Sequence, residues 1–386
     1  METHPELLEQ YKPFLKYDSQ ESYFADSAAE WTDNPGNELK RADGTVLATA
    51  EHGLDLAFLG TTYTPDAAAA ATDVIGARSK DYREQARRLH DLPGYANHVY
   101  GHAVPDAAGD LWLQYWFFYF YNDYNLIGHL FGAGLHEGDW EMIQVRLRGG
   151  EPDVATFCQH KGASQREWRQ VDVLPGTRRP IVYVARGSHA SYFEPGTHPT
   201  GHWFDHADGK RRSPELTLNV VDEGDPQWRW VRWPGFWGDT KEGHNPVDSG
   251  SPTGPAAHPQ WDDPLSLLKQ PQAIAAAVPA ERAPSPMAPH VTAKWVDGQI
   301  CLSYDATQGP GGKQPVGLAV TINSPDESES PTTHAFPIES AVGKVILSAE
   351  ADPSRTYDLY TSVAIKGGLA SESVRSDLSP ATRASV

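Results

Sequence analysis

Leu113-Gln114-Tyr115-Trp116-Phe117-Phe118-Tyr119-Phe120-Tyr121 is aromatic or apolar at every position but one, and it ends in the polar pair Asn122-Asp123. So dense an aromatic run closed by turn-forming residues reads as a β-strand. A loop carrying Gly128, Gly132, Gly134 and Gly138 follows, and its glycine spacing fits no dinucleotide-binding loop. The chain then continues as His136-Glu137-Gly138-Asp139-Trp140-Glu141-Met142-Ile143-Gln144-Val145. A hairpin through that loop would bring Asp123 near His136 and Asp139. With a strand from Asp139 onward, Asp139 and Glu141 share a face with Ile143 and Val145. Two inward-facing carboxylates ~5–7 Å apart cannot both stay ionised without a counter-charge. A hard divalent cation, Ca²⁺ or Mg²⁺, would supply it through oxygen ligands, with His136 adding a nitrogen. A water-balanced acidic face is the plainer alternative.

Outward from this pair, the segments Leu111–Tyr121, Asp139–Leu147, Val154–His160, Ile181–Ala185, Leu216–Val221 and Trp228–Trp233 read as short strands between Gly/Pro/Asp turns. They predict a mostly-β chain, an antiparallel β-sandwich with helical additions. Thr64-Pro65-Asp66 reads as a helix start, with Val74, Ile75, Tyr82, Ala86 and Leu89 at broadly helical spacing and Pro93-Gly94 as the stop. From about Asp248 to Ala288 the chain is rich in Pro, Ala, Ser and Gly, as in a linker or a wrapping segment. The expected division is a functional domain over 1–265, a linker over 266–288 and a small β-sandwich over 289–386. Residues 1–284 hold 11 of the 12 tryptophans and 14 of the 16 histidines, which puts the chemistry in the first part. In the last part, Asp352-Pro353-Ser354-Arg355-Thr356-Tyr357-Asp358-Leu359-Tyr360 is similar to the tyrosine-corner approach of immunoglobulin-like sandwiches, and the module resembles a fibronectin type III domain.

The 386 residues carry 32 Lys+Arg against 51 Asp+Glu, a formal charge of −19. That deficit of basic residues argues against nucleic acid and against electrostatic docking on anionic membranes. Two cysteines, Cys158 and Cys301, make neither a disulfide framework nor a four-cysteine zinc site. No secretory signal and no run of ~18 apolar residues is seen, so a cytoplasmic protein without a transmembrane segment is expected. Export by a route without a cleaved signal stays open, as does oligomeric state.

A family resemblance enters on specific residues. Tyr115-Trp116-Phe117-Phe118-Tyr119 with Asn122-Asp123, His136-Glu137-Gly138-Asp139-Trp140-Glu141 and Gly187-Ser188-His189-Ala190-Ser191-Tyr192 resemble the vacuolar protein sorting-associated family marked by HEGDWE. The segment Tyr17-Asp18-Ser19-Gln20-Glu21-Ser22-Tyr23 and Trp233-Pro234-Gly235-Phe236-Trp237-Gly238 are similar too. More distantly, the chain resembles the necrosis- and ethylene-inducing-like cytolysins, whose heptapeptide is GHRHDWE. That resemblance implies a β-sandwich with Ca²⁺ or Mg²⁺ at one end, held by Asp123, His136, Asp139 and Glu141. Gly138 stands where the cytolysins have a second histidine, so any role of that histidine is lost here.

His160 and His189, each following a strand, are candidates for acid/base or substrate contact. Ser188 and Ser191 lack a nucleophile-elbow context. The cluster His198, His202, Asp205 and His206 is interrupted by Pro199 and Gly201, which argues for a loop over a zinc helix. Trp228, Trp230 and Trp233 read as packing residues, with an aromatic platform for sugar or lipid headgroups as the sharper alternative. The expected function is a divalent-metal-dependent enzyme, hydrolytic in type, with an aromatic-lined cleft. Small molecules, lipids or glycans are the expected ligands. The alternative is metal-dependent binding of membrane lipid or glycan headgroups without catalysis.

Overall fold

A computed structural model describes residues 3–62, 71–77, 81–92, 97–124, 135–160, 162–199, 204–213, 215–238, 251–269, 289–296, 299–307, 315–323, 332–338, 340–347, 352, 354–365, 369–370 and 374–378. Strand dominates. The first part is built on a six-stranded sheet in the order Thr217–Val220, His98–Pro105, Leu111–Asp123, Leu135–Arg148, Glu151–Gln159 and Gly162–Glu167. The aromatic strand Leu111–Asp123 and the acidic strand Leu135–Arg148 pair antiparallel, with Tyr119 opposite Asp139 and Asn122 opposite His136. The glycine-containing loop between them lies outside the described residues.

Both faces of this sheet are buried, which is why the aromatic strand carries almost no polar side chain. Trp116, Phe118, Phe120, Trp140 and Met142 enter one core cluster. Tyr115, Phe117, Tyr119, Ile143 and Val145 enter another. The first cluster also takes Leu39, Ile75 and Trp237 from a four-stranded sheet ordered Phe236–Trp237, Val74–Ala77, Asn37–Lys40, Val46–Thr49. The second takes Leu15, Tyr17, Val182 and Val184 from the sheet Ser191–Tyr192, Ile181–Val184, Phe14–Tyr17, Arg211–Arg212. Each fully buried large apolar side chain contributes about 1.5–3 kcal/mol of transfer free energy.

Several expectations are corrected. The strands are not all antiparallel: Phe14–Tyr17 with Ile181–Val184, Thr217–Val220 with His98–Pro105, and Phe236–Trp237 with Val74–Ala77 run parallel. Each pair joins segments far apart in sequence, so a long connection rather than a hairpin sets the direction. The expected helix from Val74 to Leu89 divides into the strand Val74–Ala77 and the helix Tyr82–His90. Asp81 caps that helix by accepting from the Glu84 N–H. The expected helix start at Thr64-Pro65-Asp66 falls outside the described residues. Trp228–Trp233 is not a strand: Pro226–Arg232 forms a 3₁₀ turn, capped by Asp225 accepting from the Gln227 N–H. That turn buries Trp230 and Trp233, as the packing reading expects.

The described part of the Pro/Ala-rich stretch wraps against the first part. Gln114 and Gln144, buried in the two central strands, donate their side-chain amides to the carbonyls of Gln260 (2.5 Å) and Pro264 (2.9 Å). Trp261 is fully buried and stacks on His102 at 4.0 Å. Residues 248–250 and 270–288 of the stretch lie outside the described residues.

The last part has its own core, including Ile300, Leu302, Leu318, Val320, Leu359 and Val363. One sheet orders His290–Val296, Gln299–Asp305 and Val342–Leu347. The other orders Thr332–Pro337, Pro315–Asn323 and Tyr357–Ile365, with Leu369–Ala370 and Val374–Leu378 both pairing the last of these. The Tyr357 hydroxyl accepts from the Asp352 N–H at 2.8 Å, so the tyrosine ties down the chain that leads into its own strand.

Candidate functional site

Two glycines set the frame. Gly138 has φ +59°, and a Cβ there would overlap the carbonyl oxygen of Trp237. Strict alternation would put Glu137 on the face of Asp139. Instead the left-handed residue between them turns the Glu137 carboxylate to accept from Tyr82 Oη (2.6 Å) and the Ala77 N–H (3.1 Å). Asp139 and Glu141 keep the face of Ile143 and Val145, as the strand reading expects. Gly187 has φ +72°, and a Cβ there would overlap the carbonyl oxygen of Asp123. This close approach lets the turn after Ile181–Val184 pack against the end of the aromatic strand and deliver His189.

His189 is fully buried. Its ring lies flat on Tyr119, 3.9 Å between centroids and 3° between planes. Nδ1 is 2.9 Å from Asp139 Oδ2, and Nε2 is 3.8 Å from Glu21 Oε1. Burial disfavours its charge, but the hydrogen bond to Asp139 and the charges of Glu21 and Asp139 outweigh it and raise its pKa to about 9. Burial likewise opposes ionisation of Glu21, yet His189 and the Gly187 and Tyr23 N–H groups hold its pKa below the usual carboxylate value. His189 is therefore a buried imidazolium between two carboxylates.

His160 stands at the end of Glu151–Gln159, its side chain 40% exposed. Its Nε2 is 2.8 Å from Asp205 Oδ2. Asp205 is fully buried and also accepts from Ser188 Oγ (2.7 Å) and Tyr192 Oη (2.6 Å). Ser188 thus bonds the carboxylate and not the histidine, which is no nucleophile–base pair. Burial pulls the His160 pKa down, but the Asp205 charge and hydrogen bond raise it above its ordinary value. His160 and His189 both have left-handed backbones, φ +48° and +55°. Such conformations are uncommon outside glycine and cluster at functional sites.

Glu141 is half-buried and makes no hydrogen bond or ion pair among the described residues. Burial first, then the charges of Asp139 and Asp205, push its pKa well above the usual carboxylate value. Both influences favour its protonated form, as for the acid member of a carboxylate pair.

The six expected site residues fall into two groups. Asp139, Glu141, His160 and His189 belong to one electrostatic cluster, joined by Glu21 and Asp205. Asp123 and His136 show other contacts. Asp123 gives Oδ2 to Arg83 at 3.0 Å, from the helix Tyr82–His90. His136 lies within the acidic strand, not in a loop, and its Nδ1 binds the carbonyl oxygen of Gly138 at 2.8 Å. The expected cation does not fit this arrangement. Arg83 neutralises Asp123, His189 neutralises Asp139, and no three His, Cys, Asp or Glu among the described residues are grouped to hold a metal ion.

Sequence reasoning missed Glu21, although Tyr17–Tyr23 was singled out for its resemblance. It placed Asp205 only in a possible zinc cluster, in a loop. The structure pairs Gly196–Pro199 with Phe204–Ala207 as a two-stranded hairpin, with His198 stacked on Tyr192 at 3.8 Å.

Fold and cluster together define a mostly-β protein with a buried acid–histidine network toward the hairpin end of its central sheet. The chain belongs to the vacuolar protein sorting-associated protein 62 family, whose sequence model matches residues 2–206. It is 31% identical over 105 residues to vacuolar protein sorting-associated protein 62 of Saccharomyces cerevisiae, covering 23% of this chain and 22% of that protein. It is 24% identical over 226 residues to the putative vacuolar protein sorting-associated protein TDA6 of the same yeast, covering 50% and 47%. The matches thus span less than half the length of these relatives. Among solved structures, a family 76 glycoside hydrolase from a bovine Bacteroides thetaiotaomicron strain is 15% identical at TM-score 0.20, covering 24% of this chain and 20% of that one. A human FNIII domain is 16% identical at TM-score 0.19, covering 30% and 94%. Likenesses this slight bear on neither fold nor function.

Proposed function

We propose that this chain is a hydrolase, with Glu141 as the proton donor and His160 and His189 as the flanking histidines. The observation that supports this most is Glu141 itself, a carboxyl whose pKa burial and then the charges of Asp139 and Asp205 push upward, with no side-chain hydrogen bond or ion pair among the described residues. Glu141 would give its proton to the leaving group as the scissile bond breaks, and water would add at the cleaved centre and return a proton to Glu141, while Asp139 stays paired with His189. Tyr124, edge-on to His160, and Tyr192, bonded to Asp205, would supply aromatic surface beside His160. Because the side chains do not fit a resident Ca²⁺ or Mg²⁺, no step is assigned to one.

The test is a panel of neutral glycosides, carboxylic esters and phosphoesters, run with and without added Ca²⁺ or Mg²⁺. Turnover that falls at least a hundredfold in Glu141→Gln while the thermal transition is kept supports the reading. Turnover that survives the substitution refutes it. Binding to glycan arrays or liposomes without turnover would favour headgroup recognition instead. In this reading the two sheets of the last part form a fibronectin type III-like sandwich that acts as a spacer, supported by the Tyr357 corner. A cytoplasmic location goes with it, supported by Cys158 and Cys301 both being free thiols.

A further inference from the structure

We propose that Asp205 is the positioning residue of this site: it fixes the ring of His160 through Nε2 and leaves Nδ1 as the atom that exchanges a proton with the ligand. This deepens the hydrolase reading and rests on it for the catalytic meaning of His160, but the coupling itself is read from geometry.

Asp205 enters from the strand Phe204–Ala207, opposite His198 on the hairpin. Its carboxylate is fully buried and spends both oxygens on three hydrogen bonds: Ser188 on Oδ1, Tyr192 and His160 on Oδ2. Two of the three donors are hydroxyls that can do nothing for His160 except hold its partner still. The carboxylate is therefore clamped, and the clamp is what a half-exposed histidine at the end of a strand lacks on its own. An ionised carboxylate accepts only, so Nε2 must carry the proton in the neutral ring. Nδ1 makes no hydrogen bond among the described residues, which leaves it to a ligand. The left-handed backbone of His160 turns the ring out of the strand's alternation and toward Asp205.

The groups that act on His160 are Asp205 (whose carboxylate also holds Tyr192 and Ser188), Tyr124 edge-on at 6.4 Å, and Asp139 from the acidic strand. Asp205 is the carboxylate in contact. The charge of Asp139 acts in the same direction, as a smaller influence.

The experiment is histidine-selective ¹⁵N NMR of the full chain over pH 5–10, with Asp205→Asn and Tyr192→Phe. In the wild type, Nδ1 of His160 should be the nitrogen that titrates, above the free-histidine value. Asp205→Asn should lower that midpoint by about 1–3 pH units, the span of a single adjacent carboxylate. Tyr192→Phe, which keeps the charge, should move it by less than half as much. Turnover, where found, should show its His160 limb displaced with the midpoint. Wild-type titration at Nε2, or an Asp205→Asn midpoint equal to that of the wild type, overturns the proposal. Should Asp205→Asn fail to fold, the wild-type titration decides alone. Absence of turnover with the expected titration would sink the hydrolase reading and leave the Asp205–His160 coupling standing.

Discussion

Replacing Gly138 by alanine tests the turn that separates Glu137 from Asp139. The cost has two parts. An L-residue held at φ +59° loses about 1–2 kcal/mol relative to glycine. The added methyl would overlap the Trp237 carbonyl oxygen and lie 3.0 Å from its carbon. That carbonyl cannot retreat cheaply, because the Trp237 N–H donates to the Pro252 carbonyl at 2.8 Å and its indole is fully buried. Overpacking of this kind costs about 1–3 kcal/mol. Together, about 2–5 kcal/mol is lost from a total of about 5–15 kcal/mol. For a domain of this size that lowers Tm by roughly 4–20 °C. Gly149 is the control, since it has the same φ of +59° but nothing within 4 Å of its hypothetical Cβ. Urea and thermal unfolding followed by tryptophan fluorescence should show Gly138→Ala well below Gly149→Ala. Equal destabilisation of the two variants would refute the close approach of Trp237 and, with it, the account of why position 138 is a glycine.

Two further predictions concern stability. The pKa of His189 is raised from 6.5 to about 9, so its ion pairs contribute fully below pH ~6.5 and are lost as pH rises through ~9, a difference of about 3 kcal/mol. His189→Asn should flatten the dependence of urea stability on pH between 6 and 9. It should also cost about 3–5 kcal/mol at neutral pH, by leaving Glu21 and Asp139 buried without their cation. Trp261→Ala, which empties the stack on His102, should cost about 3–5 kcal/mol in the same unfolding assay. A loss under 1 kcal/mol would mean that the wrapping segment contributes little to the first core.

Much of the frame was legible because local chemistry announces it. The aromatic run and the acidic run are strands, they pair as a hairpin, and Asp139 and Glu141 share a face with Ile143 and Val145, because alternation within a strand is a local property. The helix Tyr82–His90 was legible in part. Its continuity with Val74 and Ile75 was not, because those residues form a strand only through pairing with Asn37–Lys40 and Phe236–Trp237. Trp228 and Trp230 alternate as a strand would, yet Pro226 and the Asp225 cap start a 3₁₀ turn that buries Trp230 and, at its end, Trp233.

The charge of the site shows where sequence stops. The sequence by itself determined that a family-specific pair of carboxylates, Asp139 and Glu141, faces inward among −19 net charges, and that such a pair needs a neutralising partner. Only the tertiary structure decided what that partner is. His189 comes from 50 positions downstream of Asp139 and Arg83 from 40 before Asp123, while Glu21, from near the chain's start, is a further carboxylate on His189. No spacing rule links them. Counter-charge is a matter of a few ångströms in space, and it was set by two glycines that let backbones touch.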